Sequence, residues 1–347
     1  MVDPMQWIAV SVLLTACAAE GRTPSAAADA RRAPRPPPPR EVVFAGACDA
    51  SGAAALSDRT ILVADDEDNV LRQYDADTGG PPRAAHDLSA ALGVPLQGKK
   101  RPRPAEMDLE AATRLGDRAY WVASHGRNKK GKEAPARLRM FATTVGPDGV
   151  PAITGPGYEH LLDDLAADPR LAPFGLAEAA TRPPKADGGL AIEGLTATPE
   201  GHLLLGFRNP NPGGRALVVP LYDAARLVDG GAGPARLGAP VLLDLGGRGV
   251  RSMSWWRGRY LIIAGDRADA RPSALYTWDG RGAPREVTGL DLRAYNPEGF
   301  FTPEDRDRIL VLSDDGERAI DGEACKELDD PARKRFRGLW IALPEVR

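Results

Sequence analysis

Carboxylates at a recurring position are the first chemistry the chain offers. Glu110, Glu193 and Glu298 each stand at the head of a short segment (EAATRL, EGLTAT, EGFFTP), and each segment is followed by a strongly apolar run that ends in polar residues. Ser51 and Ser252 hold the corresponding place in two further segments. The spacing repeats: Ser51 to Asp65, Glu110 to Ser124, Glu193 to Phe207 and Ser252 to Asp266 are each 14 residues apart, and Glu298 to Asp314 is 16. If each pair heads one structural unit, the glutamates form an inner ring. The ends of the apolar runs (Asp65-Asp66, Ser124-His125, Arg208-Asn209, Asp266-Arg267, Asp314-Asp315) form an outer ring on the same face.

Three glutamates around one axis repel one another, and something must offset that. Glu110, Glu193 and Glu298 suit a hard, oxygen-seeking cation, and Ca²⁺ is the expected ion. Alternatively Arg208, Arg251 and Arg267 neutralise them as an ion-pair plug, or carboxylates act directly as acid and base. His125, Asp65 and Asp314 are the candidate proton-transfer groups. Arg127, Asn128, Arg208, Asn209 and Arg267 are the candidates to hold a small anionic ligand or substrate, and the loop HGRNKKGK at 125–132 is the densest run of donors. There is no G-x-S-x-G elbow, no H-E-x-x-H and no paired-cysteine zinc spacing.

The elements that must position these groups are read from the repeats. The inner segments DASGAAAL, DLEAATRL, AIEGLTAT, VRSMSWW and NPEGFFTP are followed by second strands ILVADD, YWVASH, LLLGFR, LIIAGD and ILVLSDD. Third strands follow at 70–75, 137–143, 216–223, 274–279 and 338–344, and fourth strands ending in Asp-Leu are expected before 88, 245 and 292. Four strands per unit, repeated, predicts an all-β protein: a β-propeller of five four-stranded blades. Residues 151–190 do not fit the repeat. GYEHLLDDLAADPRLAPFGLAEAA reads as a small helical insertion after the second blade, with room there for a degenerate sixth. EVVFAG at 41–46 supplies the strand missing from the last unit and closes the ring, giving a propeller over 41–347. Cys48 and Cys325 then fall on one face of adjacent blades and are expected to form a disulfide.

The N-terminus reads as an address. The run WIAVSVLL at 7–14 is too short to span a bilayer, and the following Leu-Thr-Ala-Cys resembles a bacterial lipobox. Residues 1–17 are accordingly expected to be a lipoprotein signal peptide, with Cys17 lipidated and providing the membrane attachment, on the periplasmic face of the outer membrane, or else the protein is secreted. Residues 18–40, rich in Ala, Pro and Arg, read as a disordered tether. The net charge of −3 leaves no basic field for nucleic acid. A monomer is expected.

The stretches CDASG, VADDEDNVLRQYD, DLEAA, YWVASHGRNKKGKE, GLAIEGL, LLGFRNP and DLGGRGVRS resemble the bacterial domain-of-unknown-function family 3616. The resemblance implies an extracytoplasmic propeller and no particular activity. Looser similarity runs to esterase-like, phytase-related propellers and to calcium-dependent lactonase and arylesterase propellers. Those place a Glu-Gly pair at the start of a channel-lining strand, as at Glu193-Gly194 and Glu298-Gly299. The functions in view are a metal-assisted hydrolase of phosphate or carboxylate esters and a non-catalytic envelope module that binds a ligand or protein.

Overall fold

The second strand of each unit is apolar along nearly its whole length because it is covered on both faces. Ile61 to Ala64, Leu261 to Ala264 and Ile309 to Leu312 are all at most 2% exposed, sandwiched between neighbouring sheets. The computed structural model describes residues 37–145 and 150–343. Among them are five four-stranded antiparallel sheets arranged as blades.

Blade 1 runs Ala50–Ala55, Thr60–Asp65, Val70–Asp75 and Ala84–Asp87 from the axis outward. Blade 2 is Leu109–Leu115, Arg118–Ala123, Met140–Val145 and Pro151–Tyr158. Blade 3 is Ala191–Ala197, Leu203–Asn209, Ala216–Leu221 and Val241–Leu243, and blade 4 is Gly249–Trp256, Arg259–Gly265, Ala274–Trp278 and Arg285–Glu286. Blade 5 joins the two ends of the chain: Pro297–Phe301, Arg308–Ser313 and Arg335–Ala342 are completed by Arg40–Ala45, which pairs antiparallel with Arg335–Ala342. Cys48 and Cys325 are disulfide-bonded across that seam.

Separate apolar clusters sit between successive blades. Leu62, Leu71, Leu88, Trp121 and Phe141 fill the gap between blades 1 and 2. Phe44, Tyr74, Phe336 and Trp340 fill the gap between blades 5 and 1. The recurrent Asp-Leu leucines, Leu88, Leu245 and Leu292, are all buried in such clusters. In blade 4 the outer strand ends earlier than expected, at Glu286, and Leu292 packs from the loop beyond it.

The helical insertion is shorter than 151–190. Pro151–Tyr158 is the outer strand of blade 2, paired with Met140–Val145 through a bulge. Its Pro and Gly content disguises it, but an outermost strand tolerates both because one edge needs no partner. The remainder does contain short helices, Leu161–Ala167 and Leu176–Ala179, whose leucines pack into the cluster between blades 2 and 3. No helix among the described residues is long and apolar enough to cross a membrane. The expected signal peptide, Cys17 and most of the tether lie outside the described residues.

Candidate functional site

Every innermost strand carries a bulge at the same point, and the bulges build the site. Register slips between Leu109 and Ala111, Ile192 and Gly194, Val250 and Ser252, and Pro297 and Gly299 leave Glu110, Glu193, Arg251 and Glu298 without a cross-strand partner. In blade 1 the slip spans Ser51 and Gly52. A bulge re-aims the extra side chain. The inner ring is therefore Ser51, Glu110, Glu193, Arg251 and Glu298, and the expected Ser252 is displaced by its neighbour. Constant spacing aligned the fourth unit one residue late, since a bulge shifts register without changing strand length.

This one-residue difference divides the ring. Arg251, 3% exposed, lies between the glutamates of the flanking blades: it pairs with Glu298, approaches Glu193 at 3.7 Å, and reaches Asp269 at 3.2 Å and Asn296 at 2.5 Å. Arg208 adds 3.0 Å to Glu193 and 2.5 Å to Asp269. Burial opposes the charge on Arg208, but Glu193 and Asp269 outweigh it and raise its pKa. Burial and the neighbouring Arg208 lower Arg251, against the pull of Glu193. Blades 3, 4 and 5 thus form a buried ion-pair network.

Blades 1 and 2 carry the opposite arrangement. Asp66 and Glu110 have no hydrogen bond or ion pair through their carboxylates among the described residues, and Asp66 Oδ1 is a buried acceptor without a donor. Burial, then mutual repulsion, holds Asp66 well above the usual carboxylate range; burial and Glu193 do the same for Glu110. Asp49 is pushed up to about 9 by burial and by Asp314, with which it shares a hydrogen bond. Asp108 is raised to about 7 by burial, with its ion pair to Arg137 (2.6 Å) pulling the other way.

Carboxylate oxygens of Asp66, Asp108 and Glu110 lie within 4.8 Å of one another, as do those of Asp49, Asp65 and Asp66. Oxygens on opposite sides of a Ca²⁺ with bonds of about 2.4 Å are about 4.8 Å apart, so both sets fit such an ion. The expected ligand set of Glu110, Glu193 and Glu298 is not one the structure assembles: the arginines engage Glu193 and Glu298, and Glu110 combines instead with Asp66 and Asp108. These two aspartates, one after a second strand and one before an inner strand, were not singled out as ligands by sequence. Their adjacency to ring residues was the available signal.

The other expected residues spread differently. Asp65 Oδ2 accepts from the amides of Cys48 (3.1 Å) and Asp49 (3.3 Å) and Oδ1 from Glu67 (3.0 Å), and burial brings its pKa to about 6. Asp314 accepts from Asn296 Nδ2 at 2.7 Å and from the Gly316 amide at 2.8 Å. His125 is 1% exposed; its Nδ1 contacts the Ala123 carbonyl at 2.7 Å and burial lowers its pKa to about 4, so it is a neutral core side chain. Arg127 turns to the carbonyls of Ala180 (3.0 Å) and Gly131 (3.2 Å), and Asn128 closes its own loop through the amides of Lys130 and Lys132. Asn209 holds the carbonyls of Pro184 and Ala186, and Arg267 reaches Lys185 O and Asp187.

One cavity of about 1060 Å³ is walled by Asp49, Asp66, Asp108, Glu110, Glu193 and Asp314, among others, whereas Asp65, His125, Arg127, Asn209, Arg251 and Arg267 do not line it. Gly316 is required there: a Cβ would fall 1.6 Å from Asp49 Oδ1. Asp108 adopts left-handed backbone (φ 58°), an uncommon conformation that aspartate tolerates better than most residues.

No curated protein matches the chain. Among solved structures it is similar to the glutaminyl cyclase of Myxococcus xanthus, at 12% identity and TM-score 0.47, covering 88% of this chain and 96% of that one. It is also similar to the PQQ-bound aldose sugar dehydrogenase of Streptomyces coelicolor, at 14% identity and TM-score 0.40, covering 88% and 99%. At such identities neither similarity informs the site. Residues 154–288, within the five-bladed β-propeller, match the family described as "Protein of unknown function (DUF3616)".

Proposed function

We propose that the chain is a cell-envelope hydrolase of phosphate or carboxylate esters that depends on a divalent cation, Ca²⁺, held at the acidic half of the channel mouth. The observation that carries this reading is the pair Asp66 and Glu110, two carboxylates on one cavity wall with no basic partner. Buried like charges left uncompensated are costly, whereas the other half of the same ring is neutralised by two arginines.

Asp66, Asp108 and Glu110 are the ligands in this reading. When bound, the ion polarises the scissile group and lowers the pKa of water. Arg137 holds Asp108 in place from one side. Asp49, hydrogen-bonded to Asp314 on the cavity wall and raised to about 9 by burial and that neighbouring carboxylate, is the group able to give and take a proton. His125 is absent from that wall and takes no part. Attachment through a lipidated Cys17 and action as a monomer belong to the same proposal.

A second reading, a non-catalytic module that binds a ligand at this mouth, is favoured by the saturation of Arg208 and Arg251, which leaves neither free to engage a substrate. One experiment separates the two: metal analysis of the purified protein, with ester hydrolysis by the wild type and by Asp66→Asn. Stoichiometric Ca²⁺ and turnover, both lost in the variant, support the hydrolase. Ion binding without turnover supports the binding module, and neither result supports an inert plug.

A further inference from the structure

We infer that the rim of this cavity carries an anion-binding subsite centred on Lys129 and Lys130, suited to a ligand with more than one anionic group. The inference deepens the ester-hydrolase reading by naming its substrate class, and it rests on a part of the mouth that contributes no ion ligand.

The loop that follows the second strand of blade 2 is fixed by contacts that leave its lysine heads unused. Asn128 Oδ1 accepts from the amides of Lys130 (2.9 Å) and Lys132 (3.0 Å), and the Gly131 amide returns to the Asn128 carbonyl at 2.8 Å. Arg127 braces the loop against Ala180 in the helical insertion. Lys129 and Lys130 line the cavity, and neither ammonium has a hydrogen bond or ion pair among the described residues. Arg318, on the blade 5 side, also lines the cavity without a side-chain partner.

Other cations converge on the same opening from separate loops. Lys326 pairs with Glu317, and Lys185 and Lys129 add their positive fields to that carboxylate, which lies below the usual glutamate range. Lys129 of blade 2 and Glu317 of blade 5 both line the cavity. Among the rim acids, Glu317 and Asp269 are paired, and Glu67 is the facing carboxylate without a basic partner.

The cavity thus has a carboxylate floor and a cationic lip. A small anion alone is drawn to the lip but repelled from below. A longer ligand with several anionic groups keeps its charge at Lys129, Lys130 and Arg318 while a neutral or ion-bridged group reaches the floor. Lysines act there as point charges rather than bidentate forks, which suits phosphate more than a planar carboxylate.

The test is calorimetric titration of tripolyphosphate, with inorganic phosphate as the single-group comparison, into full-length protein dialysed free of metal. The double variant Lys129→Ala/Lys130→Ala is set against Lys99→Ala/Lys100→Ala, an exposed pair outside the cavity walls. Tripolyphosphate is expected to bind more tightly than phosphate. The rim variant should lose about tenfold or more in affinity, as removal of two charge-assisted contacts implies, with the control pair and thermal stability unchanged. Absence of tripolyphosphate binding to the wild type, or equal losses in both variants, overturns the subsite. Since no ion is present, lysine-dependent binding by a protein that proves unable to bind Ca²⁺ would keep the subsite while removing the ion-dependent hydrolase.

Discussion

Asp66 and Glu110 face each other from neighbouring blades, with carboxylate oxygens within 4.8 Å and no basic side chain paired with either. Across the same ring Arg251 stands between Glu193 and Glu298. The channel mouth is therefore polarised, inert on one side and electrostatically strained on the other, and the consequences differ for each half.

Neutralising Asp66 should abolish cation binding and stabilise the metal-free protein. Asp66→Asn removes a ligand shared by both carboxylate sets and relieves repulsion with Glu110. Calorimetry with Ca²⁺ is expected to show at least a hundredfold weaker binding, and the melting temperature without metal is expected to rise at pH 8. A lower melting temperature with undiminished Ca²⁺ affinity would contradict the assignment.

The pH dependence of metal-free stability has a definite sign. Asp49 and Asp108 have folded-state pKa values of about 9 and about 7, above an unfolded value near ~4. Between those limits the folded protein binds more protons than the unfolded chain, so these groups make stability fall as pH rises. Thermal melts in chelator from pH 5 to pH 9 should show a declining Tm. Saturating Ca²⁺ should flatten or reverse the decline, because ion binding favours the ionised carboxylates and the folded state.

In the compensated half, breaking the network should be destabilising whatever the ligand. Arg251→Gln leaves Glu298 and Glu193 buried with fewer partners, a change of about 3–5 kcal/mol for a buried pair. Denaturant unfolding should show that loss. The Arg251→Met/Glu298→Gln double variant should recover part of it, and strictly additive losses would show that the two residues do not act as a pair.

The repeat pattern disclosed most of the architecture. Apolar second strands, the Asp-Leu leucines and the spare strand at 41–46 required only periodicity, and five blades with an N-terminal closing strand followed. Pro151–Tyr158 escaped because its prolines and glycines resemble a loop, while its strand identity comes from pairing with Met140–Val145. The site was legible as a set of charged positions but not as a set of partners. Placing Arg251 rather than Ser252 in the inner ring depends on a bulge that leaves no mark on composition. Whether a glutamate finds an arginine or another carboxylate is decided between blades, as with Glu193 and Arg251 or Asp66 and Glu110. His125 is expected on the polar face because it ends a second strand, yet its backbone is left-handed (φ 56°) and its side chain is buried.

The Cys48–Cys325 bond spans 277 residues of sequence and closes the same seam as the Arg40–Ala45 strand. In the chain-entropy picture, cross-links over loops this long contribute about 5 kcal/mol. The Cys48→Ala/Cys325→Ala variant is expected to unfold at markedly lower denaturant concentration. A midpoint equal to that of the wild type would show that strand pairing alone secures the ring.

The most direct test of the central claim is the anomalous difference map of a crystal soaked in Tb³⁺, a Ca²⁺ surrogate. An ion bound as proposed gives a peak at coordination distance from Asp66, Asp108 and Glu110, absent from the Asp66→Asn protein. A map with no peak at the cavity floor, or one whose only peak lies beside Glu193 and Glu298, would contradict the account.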